Sequence, residues 1–178
     1  MAEPVVTTPR LLLRDWTPDD LLPLWELLRE PGVAREMSRI PPCCSREYAG
    51  RHLARTCEAA QNGWGRELAV VDRASGRLLG SCGFADLFPR HRRGELAYFF
   101  RADARGQGYA REAVAALRDW GVRALDLQRL SARCFAGNLA SRRLLEALGF
   151  SLEGVARREL LREGVFEDVC QYAWLRAL

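Results

Sequence analysis

Gly106 and Gly108 stand between Arg105 and a helical pattern that begins at Ala110, in the run Arg105-Gly-Gln107-Gly-Tyr109-Ala110. Two glycines remove side chains where a ligand could approach the backbone. The first amides of the helix that follows have no internal partner. Such a helix mouth attracts anions, and the Arg105 guanidinium adds a fixed positive charge beside it. A phosphate-bearing guest suits this turn, although a tight strand-to-helix connection would look the same in isolation. The spacing is neither the dinucleotide fingerprint nor the P-loop. A second block weights the reading toward a site: Asn138-Leu-Ala-Ser141 opens a helix that runs to Gly149, with Phe150 leading into another strand. Asn138 is a natural N-cap, and Ser141, three residues on, can share its face.

The elements that must position these groups follow from periodicity. Glu95 to Arg101 combines aromatics with a short apolar run, as a buried strand would. Ala110, Ala113, Val114, Leu117, Trp120 and Gly121 then recur at helical spacing. Upstream, Arg10–Trp16 reads as a first strand, and Thr17-Pro18 starts a helix ended by Pro31-Gly32. Ser45 caps a second helix reaching about Asn62-Gly63. Glu67–Asp72 and Leu78–Phe84 are strands joined by a turn at Arg73–Gly76. Arg129–Phe135 is the fifth strand, and Ser151–Leu161 with Val165–Leu175 forms a closing hairpin. Hairpins before one strand-helix-strand crossover predict a mixed, mostly antiparallel sheet in an α+β (mixed α/β) fold, with residues 1–178 as one domain.

Composition narrows the function classes. The 48% apolar and 28% charged content is that of a globular chain, and no apolar run approaches membrane-spanning length. The start lacks a signal-peptide core, so a cytoplasmic location is expected. Arginine supplies all 27 basic residues against 23 acidic ones, a net +4 that is dispersed along the chain. A nucleic-acid surface would want a sharper patch, so no nucleic-acid partner is expected. Arg90 to Arg93 read as a solvated loop or as helpers for an anionic ligand. Six cysteines without metal spacing, scattered among apolar residues, read as reduced core residues, and no metal is expected.

In this order and spacing the chain resembles the GNAT acetyltransferases, in particular their RimJ/RimL-like branch. The resemblance spans nearly the whole length: Thr8-Pro-Arg-Leu-Leu-Leu-Arg14 with Pro18-Asp-Asp, Glu95-Leu-Ala-Tyr98, the Arg105–Ala110 turn, Asn138-x-x-Ser141, Leu148-Gly-Phe150, and Gly164-x-x-x-Asp168. It implies acetyl transfer from acetyl-CoA to a primary amine, on a sheet splayed between the fourth and fifth predicted strands. It further implies that Arg105, Gly106, Gln107, Gly108, Tyr109 and Ala110 hold the pyrophosphate. The pantetheine would lie between the strand of Tyr98 to Arg101 and that of Ser131 to Phe135, against Phe99, Phe100 and Arg101. Asn138 and Ser141 would touch the pantetheine or the incoming amine.

For the chemistry, Glu95 is the candidate base, or else a salt-bridge partner on a solvent-facing strand position. Many family members place a tyrosine where Leu145 stands to protonate the departing thiolate. Here the branch pattern offers Ser141 instead, as a hydrogen-bond donor. Asp168, Tyr172 and Trp174 are expected to shape the acceptor cleft or to pack the sheet, with Glu36 and Met37 as further acceptor-side candidates. The acceptor implied first is a protein N-terminal α-amine of ribosomal-protein type. The alternatives are a small-molecule amine or antibiotic, and a CoA-binding module without catalysis. Dimers are common in such folds.

Overall fold

The computed structural model describes residues 4–177. In chain order the elements are β1 (Pro4–Thr7), β2 (Leu11–Arg14), α1 (Leu21–Leu28), α2 (Pro31–Glu36), α3 (Arg46–Asn62), β3 (Arg66–Asp72) and β4 (Leu78–Phe88). There follow β5 (Arg93–Phe100), α4 (Tyr109–Ala124), β6 (Arg129–Phe135), α5 (Leu139–Ala147), β7 (Ser151–Arg162) and β8 (Val165–Leu175). The strands make one sheet in the order β1-β2-β3-β4-β5-β6-β8-β7. Each neighbouring pair is antiparallel except β5 with β6, which is parallel because the α4 crossover joins them.

That parallel ladder is short. It runs from Arg93 opposite Arg129 to Leu96 opposite Ala132 and stops, although β5 continues to Phe100 and β6 to Phe135. The predicted splay is therefore present, and the edges of Ala97–Phe100 and Arg133–Phe135 face a gap.

Two cores lie on the two faces of the sheet. Leu96, Phe100, Val114, Leu117, Leu130 and Leu145 pack under α4 and α5. Leu24, Leu27, Leu28, Leu53, Ala69 and Phe99 pack under α1 to α3. The alternation of β5 decides which of its residues serve each face: Leu96, Tyr98 and Phe100 turn to the α4–α5 side, and Phe99 turns to the α1–α3 side.

The structure departs from expectation at several places. A first strand, Pro4–Thr7, pairs with β2 and was hidden by its four-residue length between prolines. Pro31-Gly32 does not merely end a helix, since Pro31 occupies the first turn of α2. β5 ends at Phe100, so Arg101 lies outside it, before a 3-10 turn. Arg90 to Arg93 are exposed, as the solvated-loop expectation has it, with Pro89–His91 in a 3-10 turn and Arg92 paired with Asp126. Four of the cysteines are buried, but Cys43 is exposed. Among the described residues no helix is long and apolar enough to cross a membrane, and no His/Cys/Asp/Glu cluster could hold a metal.

Candidate active site

The gap between β5 and β6 opens into a cavity of about 440 Å³. One end is the turn before α4. Gly106 and Gly108 both take positive φ, +73° and +80°, which any L side chain adopts only with strain. Gly108 is the N-cap of α4, and no side chain caps that end. The first-turn amides of α4 are thus free to receive an anion. Glu112, one turn in, fixes the turn from behind by taking Arg10 Nε at 2.7 Å and the Thr8 hydroxyl at 2.6 Å. The Arg10 guanidinium lies 4.4 Å from the Tyr109 ring centroid, so Tyr109 packs while lining the cavity.

The remaining expected cofactor residues divide. Phe99, Phe100, Arg105, Gly106, Gly108, Tyr109, Ala110, Asn138 and Ser141 line the cavity. Gln107 does not: its amide is turned back to the Asp103 carbonyl at 2.6 Å. Arg101 does not either, its guanidinium facing the Glu30 carboxylate at 3.4 Å. Arg105 lines the cavity but is directed toward α2, where it donates to Glu36 at 2.9 Å.

At the middle of the gap Asn138 caps α5, its Oδ1 accepting from the Ser141 amide at 3.0 Å. Ser141 Oγ in turn shares a 2.7 Å hydrogen bond with Tyr98 Oη, reaching across from β5. Burial pushes the Tyr98 phenol well above its ordinary range, against the smaller opposing effect of Ser141. This Tyr98–Ser141 pair was not foreseen, because it needs β5 and α5 to face each other. Cys134 lies in the same opening, and its thiol is raised chiefly by burial. Leu145 is fully buried in the core, so no titrating group replaces the tyrosine expected of other family members.

The other end is built from side chains. Glu95 lines it, next to a bulge at Ala85 where the β4–β5 register shifts. Glu36 and Met37 from α2 and its exit line it as well. Two residues that the sequence did not single out for this role, His52 of α3 and Glu67 of β3, complete the wall, Nε2 and Oε2 being 3.8 Å apart. The three late candidates are elsewhere. Tyr172 is buried and donates to Glu146 at 2.7 Å, Trp174 packs on the α4-side core, and Asp168 accepts from the Arg158 amide of β7. The face they share on β8 aims them away from the gap, so of the two expectations the structure bears out sheet packing for Tyr172 and Trp174, while Asp168 holds the β7 backbone.

A split parallel pair, an uncapped helix mouth and a polar wall at the far end form one continuous channel. A model of the acetyltransferase (GNAT) domain matches residues 10–151. The chain belongs to this family. It is an acetyl-CoA-dependent N-acetyltransferase, with acetyl-CoA as co-substrate. The uncharacterized N-acetyltransferase YoaA of Bacillus subtilis (strain 168) is 30% identical over 170 residues, 96% of each chain. Among solved structures, RimL, a ribosomal L7/L12 alpha-N-protein acetyltransferase in complex with coenzyme A, superposes with a TM-score of 0.90 at 20% identity. That match covers 97% of this chain and 98% of the other. The microcin C7 self-immunity acetyltransferase MccE, in complex with acetyl-CoA and AMP, gives 0.85 at 17% identity, covering 95% and 94%. At such identities the structural likeness establishes the fold. The residues of this acetyltransferase fit the co-substrate on their own terms: a glycine turn with unpartnered amides for the diphosphate, and an unpaired strand edge for the amide-bearing arm.

Proposed function

We propose that residues 1–178 act as one cytoplasmic acetyltransferase domain whose acceptor is the N-terminal α-amine of a protein, of the ribosomal-protein kind. The observation that carries this is the channel itself, whose amide-lined mouth and polar far wall meet at the unpaired edge of β5. The fold shared with RimL supports the acceptor class. An α-amine has a pKa near ~7.7–8.0 against ~10.4 for a lysine-like amine, so it needs less help in losing its proton at neutral pH.

In this reading the amides at Gly106, Gly108, Tyr109 and Ala110 hold the diphosphate, with Arg105 and Gln107 flanking them. Backbone groups at Phe99 and Phe100 align the arm, and Arg101 buttresses the end of β5. Asn138 fixes the start of α5, leaving its amide nitrogen to donate into the gap. Ser141, held by Tyr98, donates a hydrogen bond to the departing thiolate, and Glu95 takes a proton from the amine directly or through water.

The test is thiol release from acetyl-CoA with a panel of amines. Peptides with a free N-terminal serine or alanine are expected to turn over. The same peptides with a blocked terminus, spermidine and an aminoglycoside are not. Thiol release with spermidine or the aminoglycoside alone would overturn the α-amine assignment in favour of a small-molecule acceptor. Glu95→Gln should lower kcat by roughly 10²-fold while acetyl-CoA affinity holds. An unchanged rate would remove Glu95 from the proton path.

A further inference from the structure

An ammonium acceptor presents the enzyme with two protons, and Glu95 accounts for one. For RNH3+ plus acetyl-CoA to give RNHC(O)CH3 plus CoA thiol, nitrogen must shed two protons. The first leaves before attack, freeing the lone pair. The second leaves after the C–N bond forms and the C–S bond breaks, when the thiolate takes up one proton in exchange. The other is released to solvent. A group at the acceptor end able to accept a proton and pass it outward would speed the first loss, leaving the second to the carboxylate beside the gap.

The far wall of the channel holds such a group. His52 and Glu67 both line it, from α3 and β3, and their side chains are 22% and 21% exposed. They are neither sealed in the core nor loose in solvent, so water can reach what the cavity also reaches. Their placement follows from the sheet. Glu67 sits opposite Gly83, and Gly83 opposite Ala97 of β5, giving a row from Glu67 to the splayed strand that carries no large side chain between them. A Cβ at Gly83 would stand 2.2 Å from Glu67 Cα, so glycine there is what lets β3 close on β4. On α3 the buried Ala49, Leu53 and Thr56 fix the helix face against the sheet, and His52 falls beside them. Tyr48 stacks on the imidazole, with ring centroids 6.4 Å apart.

The charges around the pair are already committed or belong to the channel. Arg39, after α2, faces Asp86 of β4 at 3.7 Å, and Glu36 of α2 is taken by Arg105. On α3 itself Arg51 pairs with Glu47, and Arg55 lies over Trp64. Glu95 makes no ion pair among the described residues, and Glu67 has His52 alone. We propose that His52, oriented by Glu67, is the acceptor-end base that takes the first proton from the incoming ammonium and hands it to solvent. Glu95 is then left for the second.

This inference rests on the amine-acetylating function proposed above, and the test separates the two. The readout is kcat/KM for a peptide with a free N-terminal serine, measured from about pH 6 to about pH 9.5, on either side of the amine's ~7.7–8.0. His52→Gln should lose roughly tenfold or more near neutral pH, where most of the amine is still charged and a free base contributes most. The loss should close toward the alkaline end, where the amine sheds its proton unaided, and the KM for acetyl-CoA should not move. Glu67→Gln should shift the profile in the same direction by less. It serves as the test alone if His52→Gln does not fold. A variant profile parallel to the wild type at every pH, or superimposable on it, overturns the inference while leaving the acetyltransferase assignment standing. A wild-type enzyme silent with every amine overturns both.

Discussion

The two ends of the channel are built by different means. The end at the turn before α4 is made of backbone: two left-handed glycines and the uncapped first-turn amides of the helix. The acceptor end is made of side chains from α2, α3, β3 and β5, whose residues are separated by up to some sixty positions and meet only because the sheet folds. The first device is specified locally and survives wherever the turn forms. The second is only as good as the packing of the α1–α3 layer on its face of the sheet. One end should therefore respond to local backbone strain and the other to loss of tertiary support.

The largest effect is expected where that support is pinned. Asp20, just before α1, is 6% exposed and takes both Arg14 nitrogens at 2.6 and 2.7 Å, together with the Thr17 amide at 2.8 Å. Removing one member of such a buried pair costs about 3–5 kcal/mol, which for a chain of this size lowers Tm by roughly 6–20 °C. Asp20→Asn should do so, and acetyl-CoA affinity of the folded fraction should stay near the wild-type value. A melt within about 2 °C of wild type, at most about 1 kcal/mol, would show the layer is held by other means. The pH dependence carries the same signature. Burial pulls the Asp20 carboxyl up, but hydrogen bonds from Arg14 and Thr17 outweigh it and hold the group below the usual carboxylate range. A depressed folded value means that the stabilisation is complete above the unfolded carboxylate's ~3.9 and is lost as pH falls through the lower folded value. Wild type and Asp20→Asn should thus differ at neutral pH and converge in strong acid.

At the other end a smaller, local effect is expected. Gly108 at φ +80° has only Arg10 Nη2, at 3.4 Å, near the position of an added Cβ, so alanine there meets conformational strain more than collision. That strain is about 1–2 kcal/mol, which corresponds to roughly a tenfold weaker acetyl-CoA affinity if the turn must hold its shape to bind. The KM for the amine should be unaffected. Equal losses at both ends would erase the contrast between a backbone device and a side-chain device.

The same contrast explains what the sequence disclosed. The Arg105–Ala110 turn, the Asn138 cap and the closing hairpin are short-range signals, and the structure contains all three. The splay was legible through resemblance, since nothing in Leu96 or Ala132 announces that their ladder ends there. Illegible were features set by packing between distant elements. His52 and Glu67 look like an ordinary helix residue and an ordinary strand residue until α3 lies over β3. Asp168, Tyr172 and Trp174 stood open between the acceptor cleft and sheet packing until the face they share on β8 turned them from the gap. The bulge at Ala85 beside Glu95 has no glycine or proline to mark it, and Arg101 fell outside β5 because its strand ends one residue earlier than its pattern suggests.

The smallest effect is expected midway between the two ends, at Ser141. Its hydroxyl is anchored on one side by Tyr98 and has its remaining hydrogen-bonding capacity directed to the cavity it lines. A thiolate is a good leaving group and a serine hydroxyl a poor acid, so the contribution is that of one hydrogen bond, net about 0.5–1.5 kcal/mol. Ser141→Ala should therefore slow turnover by roughly 3- to 10-fold with acetyl-CoA affinity preserved, since 1.4 kcal/mol is tenfold. Tyr98→Phe keeps the serine but frees it to rotate, so it should cost less than Ser141→Ala, and the double variant should cost no more than Ser141→Ala alone. That non-additivity is the signature of two groups acting through one hydroxyl. Additive losses would mean that Tyr98 supports β5 by packing and that the 2.7 Å contact contributes nothing to the departure of the thiol.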